Sequence, residues 1–172
     1  MRTLLTFVFL LIFTPNVQAL GPDEQAFYLE AMGDLTIRPE LRPGGGLGVT
    51  YARGVTDTLA VRATVNGTWL EKATTRGILA TKVTLGTTLA LDALAYIPYL
   101  DLAILGMDIR DQNTSSQWLG TRFELGVDHL LSRHTGVGLG LRGDFCLIHL
   151  AGDTLGTIPM HLSLVLRYAR YF

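Results

Sequence analysis

The sequence predicts an all-β fold: an eight-stranded antiparallel up-and-down transmembrane β-barrel with a polar, filled lumen and short loops. Three observations carry the prediction. Apolar residues recur at every second position through most of the chain, which is the period of a strand. Charged residues make up only 17% of 172 residues while hydrophobic ones make up 48%, against about 25% charged in ordinary soluble domains, and the mean hydropathy is +0.32. The less apolar strand face is rich in Gly, Thr, Ala and Ser, residues small enough for the inside of a narrow barrel.

The N-terminus comes first. Met1-Arg2-Thr3 is a short basic start, residues 4–13 (LLTFVFLLIF) are an apolar run, and Thr14-Pro15-Asn16 breaks it before the small Ala19. This is the pattern of a secretory signal peptide, with cleavage predicted after Ala19. The apolar run is only about half the length a helical span requires. No Cys follows the cleavage site, so a lipoprotein anchor is not expected. The barrel domain is predicted over 20–172.

The strands follow in order. Over 27–37, Leu29, Ala31, Gly33 and Leu35 alternate with Glu30, Met32 and Asp34. Leu47, Val49 and Tyr51 alternate with Gly46, Gly48 and Thr50. Leu59, Val61, Ala63, Val65 and Trp69 alternate with Arg62, Thr64, Asn66 and Thr68. Leu79, Val83, Leu85 and Leu89 alternate with Lys82, Thr84, Gly86 and Thr88. Over 97–109, Leu100, Leu102 and Ile104 oppose Asp101 and Ala103, and the phase is expected to slip at a bulge near Gly106-Met107. Leu119, Phe123, Leu125 and Val127 oppose Gly120, Arg122, Glu124, Gly126 and Asp128. Val137, Leu139, Leu141, Phe145 and Leu147 oppose Gly138, Gly140, Arg142 and Asp144. Leu162, Leu164, Leu166, Tyr168 and Phe172 oppose His161, Ser163 and Arg167. The connections, 38–44, 54–57, 71–75, 92–96, 111–117, 130–135 and 151–158, are too short for parallel crossovers. Residues 90–95 (ALDALA) have room for one helical turn.

Which face points inward decides the class. A soluble barrel lines its interior with apolar side chains, and a membrane barrel turns them to lipid. The small residues favour the second arrangement. So does the charge balance of the less apolar face. It carries Glu30, Asp34, Asp101, Glu124, Asp128 and Asp144 against Arg62, Lys82, Arg122, Arg142 and Arg167. Buried charges must be paired, and this near-neutral set can form a lumen ion-pair network. Aromatic residues are expected at both membrane interfaces: Trp69, Trp118 and Phe145 at one, Tyr51, Tyr168 and Phe172 at the other.

A cleaved signal, eight alternating strands and a C-terminal aromatic resemble the small eight-stranded outer-membrane β-barrels of Gram-negative bacteria, the OmpA/OmpX-like superfamily. The last strand, HLSLVLRYARYF, is similar to that family's assembly signal through Leu164, Leu166, Tyr168 and Phe172. Arg170 departs from it, where an apolar residue or Tyr is common. The resemblance implies export to the periplasm, insertion into the outer membrane with the help of periplasmic chaperones and the barrel-assembly machinery, and lipid and lipopolysaccharide as neighbours. It implies little about activity. An even strand number places both termini in the periplasm. Turns 54–57, 92–96 and 130–135 then face the periplasm, and the other four loops face outward.

Motifs with chemical potential are few. His161-Leu-Ser163 resembles the His-x-Ser pair of outer-membrane lipid A deacylases, but parity turns both side chains into the lumen, away from any acyl chain. Glu124 and Asp128 share a face yet stand ~14 Å apart at ~3.4 Å per residue, too far for a paired-carboxylate hydrolase. His129, His134, His149 and His161 show no metal-ligand spacing. Gly44-Gly45-Gly46-Leu47-Gly48 enters a strand rather than a helix, so it lacks a phosphate-binding mechanism. Cys146, the single cysteine, reads as a small lumen filler and excludes a disulfide framework. A formal charge of −1 excludes a generic nucleic-acid binder. No cofactor, metal or catalytic site is expected. The predicted role of this monomeric barrel is structural or a surface contact. The alternatives are binding or transport of small hydrophobic or amphiphilic molecules through the barrel mouth or wall and, more weakly, a lipid A-modifying enzyme.

Overall fold

In the computed structural model of the chain, eight strands pair in sequence order and the last closes on the first. They are β1 (Gln25–Arg38), β2 (Arg42–Gly54), β3 (Leu59–Leu70), β4 (Ile78–Ala90), β5 (Tyr96–Arg110), β6 (Ser115–Ser132), β7 (Thr135–Gly152) and β8 (Met160–Tyr171). The structure describes residues 20–38, 41–71, 77–91, 96–111, 114–152 and 158–172. The predicted signal peptide and residues 92–95 of the ALDALA segment lie outside the described residues. Every ladder is antiparallel, including β8 on β1, where Glu30 stands opposite Arg167. Closure leaves no free edge along the common length of the sheet.

Period-two alternation sets which way each side chain points. On β8, Leu162, Leu164, Leu166, Tyr168 and Phe172 face out, while His161, Ser163, Val165, Arg167, Ala169 and Tyr171 are buried inside. The outer wall is apolar: Leu47 is 72% exposed and Leu85 62%. The inner wall is where the charges are.

Two expectations need correction. The expected phase slip near Gly106 is absent, since both ladders of β5 run through it without a register shift. Leu105, Met107 and Ile109 therefore point inward although they are apolar. Trp118 was expected at the membrane interface, yet it is 6% exposed and lies inside the barrel. The parity that turns Leu119 and Phe123 toward the outside turns Trp118 inward. These four side chains pack with Ala80 and Cys146 in an apolar cluster at the loop end of the lumen.

Several connections are also tighter than the apolar pattern indicates. Backbone ladders continue through Gly, Ser and Gln, which carry no alternation signal. β6 and β7 pair to Ser132 and Thr135, so that turn is only 133–134, closed by the Ser132 and Thr135 hydroxyls at 2.7 Å. Irregularities do occur elsewhere, beside Ile37 on β1, beside Leu131 on β6, and on β7. There the register shifts twice, beside Leu147 and Leu150, and Leu147 and Ile148 both face out.

Inward glycines make room for large neighbours. A Cβ on Gly126 would overlap the Tyr99 ring, whereas one on the outward Gly33 would meet nothing within 4 Å. Gly126→Val is expected to lower the stability of the refolded barrel by about 1–3 kcal/mol through overpacking. Gly33→Val should change it far less. Urea unfolding of both variants checks this, and equal losses would contradict it.

Candidate functional site

The charged residues read from the inward face, Glu30, Asp34, Arg62, Lys82, Asp101, Arg122, Glu124, Asp128, Arg142, Asp144 and Arg167, are all buried. They sit in two groups, stacked along the lumen.

The group nearer the chain termini centres on Arg142 of β7. Its Nε donates to Glu124 Oε2 and its Nη2 to Glu30 Oε2, both at 2.7 Å. Arg62 of β3 donates to Glu30 at 3.2 Å and is also paired with Asp101 of β5. Arg167 of β8 donates through Nε to Asp128 at 2.7 Å, and its Nη1 lies 3.6 Å from Glu124. Thr50 donates to the remaining Glu30 oxygen at 2.9 Å, and Thr88 donates to Asp101. This one group joins β1, β2, β3, β4, β5, β6, β7 and β8 across the lumen.

The group nearer the loops centres on Asp144. Arg122 grips it with two hydrogen bonds, at 2.6 and 3.1 Å. Lys82 lies 3.0 Å from Asp144 and 2.9 Å from Asp34. Asn66 joins the two groups: with its amide oxygen facing the guanidiniums, it accepts from Arg122 at 3.1 Å and from Arg142 at 3.2 Å.

Sequence reading did not single out several members of this site. Tyr99 donates its hydroxyl to Glu124 at 2.7 Å, and its ring faces the Arg167 guanidinium at 3.6 Å. Tyr28 lies under both Arg62 and Arg167, at 5.1 and 5.2 Å. Such cation–π contacts supplement ion pairs where water is excluded. Parity alone marks both tyrosines as inward, so the signal was there.

His161 and Ser163 are fully buried and both turn to Asp34. Ser163 Oγ donates to Asp34 at 3.1 Å, while His161 Nδ1 lies 3.1 Å from Thr36 Oγ1 and 3.7 Å from Asp34. The hydroxyl is thus directed at a carboxylate instead of the imidazole, and neither group is open to substrate. Cys146 is buried with its thiol 3.8 Å from Met107 Sδ. His129 stacks on Tyr96, and the His149 ring lies tilted against Trp118 with 4.8 Å between centroids. Among the described residues, no set of three His, Cys, Asp or Glu is placed to hold a metal ion.

Of the aromatics expected at interfaces, Tyr51, Trp69, Phe145, Tyr168 and Phe172 face outward, and Trp118 does not. Leu164, Leu166, Tyr168 and Phe172 line the outer side of β8. Apolar clusters lie at both ends of the lumen. Leu20, Tyr28, Ala52, Ala169 and Tyr171 pack at the terminal end, and the Trp118 cluster packs at the loop end. Two cavities that reach the charged groups hold only about 30 and 10 Å3, water-sized spaces.

A closed eight-stranded barrel, apolar outside and paired inside, is the fold of the small outer-membrane β-barrels. No protein-family model matches the chain, and no curated protein sequence does. Solved structures do match. Neisserial surface protein A superposes with a TM-score of 0.71 at 12% identity, covering 86% of this chain and 97% of that one. The outer-membrane protein OprG from Pseudomonas aeruginosa gives 0.57 at 15%, covering 90% and 98%. Ail, the attachment invasion locus protein of Yersinia pestis, gives 0.59 at 10%, covering 88% and 99%. At such identities the likeness is one of fold.

Removing one partner of a buried pair strands the other. Arg142→Leu leaves Glu30 and Glu124 without their shared cation and is expected to cost on the order of 3–5 kcal/mol. The urea midpoint of the refolded variant measures this, and an unchanged midpoint would contradict a load on that pair.

Proposed function

We propose that the chain is an integral outer-membrane barrel with a structural or surface-contact role and no catalytic chemistry. The observation that carries this reading is the inside-out distribution of polarity. Ion-paired side chains fill the lumen while Leu, Val and Ile cover the outer wall. In water that wall would be an exposed apolar surface far larger than monomeric soluble proteins carry. In lipid it is the favoured surface. β1 begins and β8 ends at the same end of the barrel, which on this reading is the periplasmic end. Residues 1–19 would serve as the export signal, and chaperones and the barrel-assembly machinery would act before insertion. Outer-membrane lipid and lipopolysaccharide would surround the finished monomer.

The lumen supports a sealed barrel over a carrier. The two cavities at its charged groups take no more than water-sized groups, and apolar clusters lie on either side of the charged middle. His161 and Ser163, the residues with hydrolase potential, are shut inside that middle.

Two measurements test the reading. In cells the protein should fractionate with the outer membrane and migrate faster on gels when unboiled than when boiled. A freely soluble periplasmic monomer would overturn it. Purified barrel in planar bilayers should give no steady ion conductance above the lipid background. Stable unitary steps would show that the lumen opens, and would favour transport.

A further inference from the structure

We propose that the outer rim of the barrel at its terminal end carries a binding site for the headgroup of one anionic phospholipid, built on Arg170 and Arg133. The inference rests on the barrel reading above, which puts that end at the periplasmic leaflet.

Arg170 comes first. It is the residue at which the last strand departs from the assembly signal. Period two turns it outward, on the same side of β8 as Tyr168 and Phe172. It stands opposite Phe27 of β1 and Thr135 of β7. A cation on a lipid-facing wall must reach water or an anion, because acyl chains offer it neither. Its guanidinium lies 6.0 Å from the centre of the terminal Phe172 ring, at the rim of the wall. Among the described residues, no carboxylate pairs with it.

Arg133 supplies the second charge. It is exposed in the two-residue turn between β6 and β7, and it too has no carboxylate partner among the described residues. The turn is tied to β8, since the Tyr171 amide donates to His134 O at 2.9 Å. That bond keeps the turn beside Arg170. Guanidiniums present planar forks of donors that suit phosphate oxygens, so two of them with donors to spare suit a phosphodiester. The acids just before β1 do not compete for them. Asp23 pairs with Arg53 at 2.7 Å, and Glu24 accepts from the Gly21 amide at 2.8 Å.

The surroundings select a lipid as the occupant. Phe27 meets Phe172 edge-on at 6.1 Å and tilts against Tyr51 at 5.2 Å. Outward aromatic rings favour the zone between acyl chains and headgroups, so this cluster sets Arg170 at headgroup height. Along the wall from it run Leu29, Leu166 and Tyr168, all exposed, a track for the acyl chains of the same molecule. The site is confined to one sector. On β3, β4 and β5 the exposed outward residues at this end are Val61, Leu89 and Tyr96, and among the described residues no cation faces out beside them. A belt that only set the depth of the barrel would not need its unpaired cations on one side.

Native mass spectrometry of the refolded barrel in detergent micelles tests this, by titration with dioleoyl-phosphatidylglycerol or with dioleoyl-phosphatidylcholine. An arginine near the membrane surface is worth roughly a fivefold gain toward an anionic lipid, so the first phosphatidylglycerol should bind about 25-fold tighter than phosphatidylcholine. Arg170→Ala or Arg133→Ala alone should lower that preference about fivefold, and the double variant should bring it near parity. Arg170→Lys should keep more of the preference than Arg170→Ala, and Arg110→Ala at the loop end should leave it unchanged. Parity in the unaltered barrel, or an undiminished preference in the double variant, overturns the proposal. Lipid A held more tightly than phosphatidylglycerol by the same two arginines overturns the assignment to a phospholipid. Failure of the barrel reading would appear separately, as loss of the gel shift in every form, whereas parity with the gel shift intact sinks this proposal alone.

Discussion

Arg142 reaches from β7 to a carboxylate on either side of it, Glu30 and Glu124 at 2.7 Å each, and the lumen is organised around that fork. A charge sealed inside a narrow barrel has no bulk water to turn to. It must meet an opposite charge and fill its remaining hydrogen-bonding sites, or it destabilises the fold by several kcal/mol. Each neighbour answers this demand. Thr50 takes the second Glu30 oxygen, Tyr99 takes the second Glu124 oxygen, and Asn66 accepts from the Arg142 guanidinium. The small residues follow from the same constraint. Tyr99 reaches Glu124 because Gly126 and Gly140 leave space for its ring and hydroxyl.

The pairing needs dry surroundings to hold its strength, and the ends of the lumen provide them. At one end Leu20, Tyr28 and Tyr171 close over the Arg167 pair. At the other, Leu105, Met107, Ile109 and Trp118 lie beyond Asp144. The interior is therefore layered: apolar, charged, apolar. That layering explains why inward residues are not uniformly polar. It also gives Trp118 and Cys146 a packing role in place of an interfacial or reactive one.

Much of this is legible in the sequence, and the places where the structure departs from it share a cause. An apolar residue in a transmembrane strand is expected to face lipid, so Trp118 reads as an interface anchor and Leu105, Met107 and Ile109 read as a slipped phase. Strict parity on β5 and β6 would have turned all four inward. The sequence does not mark the extent of β6 and β7, because Ser115, Ser116 and Gln117 carry no hydrophobic pattern, while backbone ladders are indifferent to side chains.

By itself, the sequence determined the number of strands, the face on which each charge lies, and the near-balance of those charges, because a period of two admits only two directions. It could not determine which carboxylate meets which cation. Arg142 and Glu30 lie 112 residues apart, on strands with β8 between them, and their heights in the lumen depend on the stagger with which the sheet closes. Only the closed barrel sets that stagger. It is why the charges divide into two stacked groups.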